Sequence, residues 1–128
     1  MSNSFAHEVV LSLYDYFAER DMEGFKSICH DDYKFINNGM HRFSGTLDGF
    51  DVLLTSLIMH IPRVLPNFKA EVISSFANET QVFVHCHLTA DDLDSSAGHY
   101  FAEENRKIKE HHVFDDSQKL AHAMKAVV

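Results

Sequence analysis

The chain has 128 residues, of which 45% are hydrophobic and 23% charged, and its formal net charge is −8. These values are typical of one globular domain that can bury a core, and they exclude disordered and membrane-spanning classes. The 11 Lys and Arg residues are scattered, which argues against nucleic acid as a partner. The first residues lack the basic region and apolar core of a signal peptide. We therefore expect a cytoplasmic protein with no membrane or nucleic-acid partner.

The N-terminal part of the chain predicts two helices and a strand. Residues 5 to 19 carry apolar side chains at helical spacing, and Ser4 suits the N-cap position. Asp21 predicts the N-cap of a second, short helix. Tyr33–Asn37 is typical of a strand, and Asn37-Asn38-Gly39 predicts the turn that follows it.

The middle of the chain predicts a third helix between strands. Residues 40–44 are expected to form a short strand that ends at Gly45. Thr46 then suits the N-cap of a helix that Pro62 would end. Two further strands are predicted, over residues 68–76 and 80–89.

The last third alternates with period two in three segments, residues 81–88, 99–104 and 107–114. The polar stretch 90–98 predicts a loop between the first two segments, and the tail 117–128 predicts a last helix. The element order favours an α+β fold. A curved antiparallel sheet would wrap around the N-terminal helices and form a cone with an internal pocket.

Uninterrupted alternation would place four acid–base side chains on the pocket wall: His99, Glu103, Glu110 and His112. A partly desolvated carboxylate beside an imidazole is a workable general base or acid at neutral pH. In simple hairpins, His99 would face His112. The alternative is that the glutamates lie in solvent at strand ends and the histidines are half-buried with backbone partners.

Further side chains are predicted to contact a ligand in the pocket: Tyr14, Phe35, Asn37, His60, Cys86 and Phe101. Among these, Tyr14, Asn37 and His60 could donate hydrogen bonds to a negative oxygen. Asn37 has an alternative role as a turn residue, because Asn38-Gly39 follows it.

The opposite, convex face of the sheet is predicted to carry an aromatic and imidazole patch that suits a homodimer contact: Phe83, His85, His87 and Tyr100. His85 and His87 also allow an alternative, a metal site completed by His111. Zinc sites usually need three or four ligands, and no acidic partner is placed near these. We therefore predict neither a metal nor a cofactor.

Several short motifs follow one another along the chain: residues 18–25 (AERDMEGF), 30–33 (HDDY), 43–45 (FSG) and 106–112 (RKIKEHH). In this order the chain resembles the nuclear transport factor 2-like superfamily, in particular its SnoaL-like and ketosteroid isomerase-like branch. The resemblance implies a single domain over residues 1–128 and a pocket for a small organic molecule.

The same resemblance implies that the acid–base residues of these relatives are missing or displaced. The tyrosine of ketosteroid isomerases falls on Leu13 and their general base on Asn37. The aspartate of SnoaL-like cyclases falls on Val113, with Asp115 and Asp116 two to three residues later. Two hypotheses follow: cofactor-independent acid–base catalysis of the isomerase, cyclase or dehydratase type, or a ligand-binding or dimerising module that has lost its catalytic residues.

Overall fold

The computed structural model describes residues 4–125, in which helices cover one face of a six-stranded sheet. The helices are α1 (Phe5–Ala18), α2 (Met22–Ser27), α3 (Phe50–Ser56), α4 (Ile61–Val64) and α5 (Ser117–Ala123), with a 3₁₀ turn at Ile58–His60. The strands are β1 (Cys29–Asn37), β2 (Gly45–Asp48), β3 (Lys69–Ala77), β4 (Gln81–Ala90), β5 (Leu93–Glu104) and β6 (Lys107–Asp115). None of the helices in this range is long and apolar enough to cross a membrane.

Side-chain caps fix the starts of three helices. The Ser4 hydroxyl accepts a hydrogen bond from the His7 amide at 3.1 Å, and the Asp21 carboxylate accepts one from the Gly24 amide at 2.9 Å. Both caps were predicted and are confirmed. Asp116 caps α5 in the same way, which satisfies one of the amides that a helix start leaves without a partner.

The sheet has the strand order β2-β1-β6-β5-β4-β3. The predicted α+β class is confirmed. The sheet is mixed, because β1 pairs with β6 in parallel whereas the other neighbours are antiparallel. The parallel pair brings the end of β1 beside the end of β6, with Asn37 opposite Val113. This junction positions several side chains of the site.

The predicted third helix begins later than expected. Residues 40–44 form a turn and not a strand, and Thr46 belongs to β2, where it pairs with Ile36. Helix α3 starts after Gly49, whose φ of 91° is in the region that favours glycine. The Gly49 amide donates to the Tyr33 carbonyl at 2.7 Å, so this turn is fixed to β1. Pro62 lies in the first turn of α4 instead of ending a helix.

The stretch 90–98 is a strand and not a loop. Ala90 pairs with Leu93, so only Asp91 and Asp92 turn the chain between β4 and β5. Ser95 and Ala97 are buried on the inner face beyond this turn. Their small side chains gave the segment a loop-like composition while its alternation was that of a strand.

A bulge in β6 inverts the expected faces of that strand. Glu103 pairs with Ile108 and Ala102 pairs with Glu110, so Lys109 has no partner on β5. One extra residue in a strand turns each later side chain to the opposite face. His111 and Val113 are therefore buried on the inner face, where the alternation had predicted Glu110 and His112.

Candidate functional site

A cavity of about 110 Å³ lies between the inner face of the sheet and helices α1, α3 and α4. Aliphatic and aromatic side chains form most of its wall. The wall also carries polar side chains from distant parts of the chain: Tyr14, Asn37, His41, His99, His111 and Asp115. Polar groups on an otherwise apolar, buried wall carry a desolvation cost unless a partner satisfies them.

Tyr14 and His99 form a buried hydrogen-bonded pair between α1 and β5. The Tyr14 hydroxyl lies 2.6 Å from His99 Nδ1, and the Cys86 sulfur lies 3.6 Å from the same hydroxyl. Burial raises the pKa of Tyr14 far above its ordinary value, and the neighbouring Cys86 adds to the shift. Burial also lowers the pKa of His99 to about 4. At neutral pH both groups are therefore uncharged.

Tyr33 and His111 form a second pair of the same kind between β1 and β6. The Tyr33 hydroxyl lies 2.9 Å from His111 Nδ1. Burial, followed by the positive charges that His99 and His112 can carry, holds the pKa of His111 well below its usual range. The rings of His99 and His111 are 5.5 Å apart, so the two pairs meet on the cavity wall.

His41 and Asp115 lie at the junction of β1 and β6. Their side chains are 1% and 4% exposed, and His41 Nε2 lies 3.5 Å from Asp115 Oδ2. The Phe43 amide donates to His41 Nδ1 at 3.1 Å, which leaves the ring proton on Nε2, towards the carboxylate. Asn38 holds Asp115 through both backbone groups, with distances of 3.1 and 3.2 Å.

Four buried side-chain atoms have no hydrogen-bond partner among residues 4–125, and all four belong to residues that line this cavity: Asn37 Oδ1, His41 Nε2, His111 Nε2 and Asp115 Oδ1. Native proteins rarely leave such atoms unpaired, and each one calls for an explanation. Their concentration on one cavity marks this part of the wall as the candidate site.

The structure brings only one of the four predicted catalytic residues to the cavity, namely His99. Glu110 and His112 lie on the outer face because of the β6 bulge, with 3.4 Å between Glu110 Oε1 and His112 Nε2. Glu103 is half-exposed at the end of β5, next to the hairpin turn. The expectation that the four share a pocket wall is therefore wrong for Glu103, Glu110 and His112.

The predicted ligand contacts are divided in the same way. Tyr14, Phe35 and Asn37 line the cavity. Cys86 and Phe101 are fully buried behind the wall, against Tyr14 and His111 respectively. His60 lies away from the cavity, because its Nε2 is 3.0 Å from the Thr55 carbonyl at the end of α3.

His41, His111 and Asp115 line the cavity but were not predicted as pocket residues. Tyr33, which is buried against His111, was not predicted either. His111 had been placed on the convex face as a third metal ligand, and the bulge turns it inward. The sequence signal for Asp115 was that it follows the alternating segment 107–114; in the structure it is the last residue of β6. Within the described range 4–125, no three His, Cys, Asp or Glu side chains converge on a point that could hold a metal ion.

The family model for the SnoaL-like domain matches residues 10–116. The chain belongs to the SnoaL-like domain family. A search of curated proteins found no match.

Solved structures also share the SnoaL-like fold. A nuclear transport factor 2-like protein of unknown function from Burkholderia pseudomallei superimposes with a TM-score of 0.85 at 17% identity, over 97% of this chain and 100% of that one. TerC, co-crystallised with polyporic acid, superimposes with a TM-score of 0.77 at 21% identity, over 88% of this chain and 95% of TerC. A candidate polyketide cyclase from Sinorhizobium meliloti superimposes with a TM-score of 0.70 at 12% identity, over 83% of this chain and 93% of that one. These likenesses establish the cone-like fold of the SnoaL-like chain.

Proposed function

We propose that this SnoaL-like protein binds a small, largely apolar carbonyl compound and transfers a proton next to its carbonyl group, with Asp115 as the base. The observation that supports this most is the Asp115 carboxylate itself. It is 4% exposed, and its Oδ1 atom has no partner among the described residues although it belongs to a wall of mostly apolar side chains. A carboxylate oxygen without a hydrogen-bond partner in the cavity wall can accept a proton directly from a bound substrate.

The neighbours of Asp115 support the same role. His41 Nε2 lies 3.5 Å from Oδ2 without a hydrogen bond, so it borders one carboxylate oxygen while Oδ1 stays free for a substrate. Because its Nδ1 already accepts from the Phe43 amide, neutral His41 has no free lone pair and acts as a positioning residue. The two backbone hydrogen bonds from Asn38 fix the Asp115 main chain. A preorganised base of this kind needs no cofactor.

The proposed proton transfer needs no reactant besides the substrate and Asp115. Asp115 Oδ1 accepts the proton of a carbon next to the carbonyl, the C–H electron pair forms a C=C bond, and the carbonyl π electrons move to oxygen. The resulting enolate takes the proton back at the same or another carbon, which gives exchange or isomerisation. If the enolate carbon instead attacks a second carbonyl of the same molecule, a C–C bond closes a ring, the π electrons of that carbonyl move to its oxygen, and Asp115 returns its proton to this oxygen.

The size of the cavity limits the substrate. A volume of about 110 Å³ is of the same order as a roughly 150 Å³ engineered cavity that holds benzene. A six-membered ring, or one ring of a larger molecule, therefore suits the space. TerC was crystallised with polyporic acid, which makes that compound a reasonable second probe for binding.

The test is deuterium exchange at the α-carbons of cyclohexanone in D₂O, followed by proton NMR. We expect the wild type to accelerate exchange over buffer and Asp115→Asn to abolish the acceleration, because an amide cannot accept the proton. Asp31→Asn is the matched control, since Asp31 is exposed on β1 and its removal changes the net charge equally. Equal exchange by wild type and Asp115→Asn would contradict the proposal.

The second candidate is a ligand-binding module without catalysis. It is favoured by the finding that Glu103, Glu110 and His112 lie outside the cavity, which leaves few proton-transferring groups inside. Saturable binding of cyclohexanone without any accelerated exchange would support this alternative.

We also propose that the protein is a homodimer through the outer face of the sheet, around Phe83, His85, His87 and Tyr100. These four side chains alternate with the buried residues of β4 and β5. Phe76, which stacks on Phe83 at 5.5 Å, is 68% exposed, and Phe114 is 52% exposed on the same face. Aromatic side chains on an open sheet face suit a protein contact. Sedimentation equilibrium measures the association directly.

A further inference from the structure

We propose that His99 and His111 together form a receptor for one ligand oxygen, in which each neutral imidazole donates its Nε2–H and a buried tyrosine fixes each ring in the donating form. This inference rests on the proposed function for the identity of the site and adds the group of the ligand that is recognised. The group is a carbonyl oxygen, which gains negative charge when a neighbouring proton is removed.

The first ring is fixed by a chain of hydrogen bonds. The Cys86 sulfur lies 3.6 Å from both the Tyr14 hydroxyl and His99 Nδ1. When the thiol donates to the hydroxyl, the hydroxyl proton is directed to His99 Nδ1 at 2.6 Å. A neutral imidazole that accepts at Nδ1 carries its proton on Nε2. None of the hydrogen bonds found in residues 4–125 involves His99 Nε2, and the residue lines the cavity.

The tautomer of the His111 ring follows from the number of buried groups that each arrangement leaves without a hydrogen-bond partner. If the Tyr33 hydroxyl donates to His111 Nδ1, one buried group remains unpaired, which is Nε2–H. If the imidazole donated instead, the Tyr33 proton and the Nε2 lone pair would both lack a partner among the described residues. Because each unpaired buried group is costly, the first arrangement is favoured.

The surroundings of the two rings suit a neutral donor pair. His99 and His111 are 8% and 5% exposed, and their ring centres are 5.5 Å apart. Phe35 and Phe101 pack against His111, with ring centres 4.9 and 4.3 Å away. Donors that are already oriented in a water-poor site stabilise developing negative charge without reorganisation. His99 is thus assigned as a hydrogen-bond donor and not as the base that the alternation of β5 suggested.

Imidazole ¹⁵N NMR tests the tautomers without any ligand or activity. We expect both His99 and His111 to be neutral with the proton on Nε2 at pH 7. Tyr14→Phe and Tyr33→Phe should each shift the adjacent ring towards a mixture of tautomers, which a purely space-filling role for the tyrosines would not produce. A proton on Nδ1 of either ring in the wild type overturns the inference.

Ligand binding tests the receptor itself. The carbonyl stretch of bound cyclohexanone should lie below its value in water, because two donors polarise the bond. Tyr33→Phe/His111→Phe removes one donor together with its partner, so no buried group is left unpaired. We expect this variant to bind cyclohexanone roughly tenfold more weakly. Methylenecyclohexane, which has the same shape without the oxygen, should bind the variant at least as well as the wild type.

The outcomes separate this inference from the proposed function. A lowered carbonyl stretch without deuterium exchange supports the receptor and overturns the catalytic role of Asp115. Deuterium exchange with an unshifted stretch, or equal weakening of both probes in the double variant, overturns the receptor alone. A wild type that takes up neither probe overturns both.

Discussion

The Asp115 carboxylate lies in a cavity wall that offers it few hydrogen-bond donors. Burial of this carboxylate costs desolvation free energy on folding, because Oδ1 gains no hydrogen-bond partner within the described structure. We predict that Asp115→Asn leaves the free energy of unfolding unchanged or raises it by about 1 kcal/mol, since functional groups are often held at a cost to stability. Urea denaturation followed by circular dichroism measures the difference.

Asp31→Asn is again the control, since it removes the same charge from an exposed position on β1. Its expected effect is within about 0.5 kcal/mol. A loss of more than about 2 kcal/mol in Asp115→Asn alone would mean that the carboxylate is structural and would weaken its assignment as a base.

His99 makes stability depend on pH in a defined direction. Its folded pKa is lowered to about 4 by burial, whereas an unfolded histidine titrates near 6.5. Between these values the unfolded chain binds more protons, so stability is full above about pH 6.5 and is lost as the pH falls towards 4. From pH 7 to pH 5 the wild type should therefore lose about 2 kcal/mol more than His99→Gln. His111 acts in the same direction, because its pKa is also lowered.

The measurement is a series of urea denaturation curves between pH 5 and pH 7 for the wild type and His99→Gln. His85→Gln serves as the control, because this imidazole is exposed on the outer face. Parallel pH profiles for the wild type and His99→Gln would contradict the prediction.

The residues of the site could be read from the sequence only in part. Tyr14 and His99 were recognisable because each lies in a segment with a clear period. His41 and Asp115 were not, since these residues are 74 positions apart and their contact depends on the parallel pairing of β1 with β6. Local patterns carry no information about such a pairing until the topology is known.

At the scale of elements, the bulge at Lys109 decides which face of β6 lines the cavity. We predict that deletion of Lys109 leaves a regular β5–β6 pairing, in which Glu110 stays opposite Ala102 on the outer face and His111 stays opposite Phe101 on the inner face. Because no buried side chain then changes face, the free energy of unfolding should fall by less than about 2 kcal/mol. Thermal and urea denaturation measure the loss.

Lys109→Ala is the matched variant, because it keeps the bulge and removes only the side chain. That side chain makes one ion pair, with Glu104 at 3.1 Å, and both partners are substantially exposed. The expected cost is below about 1 kcal/mol. A deletion variant that loses more than about 4 kcal/mol relative to Lys109→Ala would contradict the prediction, because the later side chains would then not have kept their faces.

The elements themselves were predicted more completely than their registers. Both N-terminal helices, β1 and the long strands β3, β4 and β6 follow from period and capping signals. The start of α3 was missed because Gly49, with its positive φ, acts as the break where Thr46 looked like a cap. The bulge at Lys109 could not be predicted, because a single unpaired residue in a strand does not change the composition or the type of its side chains.

At the scale of the molecule, the cone has two unlike surfaces. Its inner surface holds the cavity with the Tyr14–His99, Tyr33–His111 and His41–Asp115 contacts. Its outer surface carries aromatic side chains on adjacent strands, where Gly98 leaves room for the Phe83 ring. A Cβ atom at Gly98 would lie 2.5 Å from that ring. The sheet thus separates the chemistry of one face from the association proposed for the other.

The homodimer proposed for the outer face predicts a specific effect of Phe76, which is 68% exposed and stacks on Phe83. If a second copy covers this ring, Phe76→Lys removes a buried aromatic contact worth about 1.5–3 kcal/mol at each end of the symmetric interface. Sedimentation equilibrium should then show at least about tenfold weaker association. Met59→Lys is the control, because Met59 is 62% exposed in the 3₁₀ turn, away from the sheet. Equal association of both variants and the wild type, or a wild type that stays monomeric at high concentration, would reject the outer face as the interface.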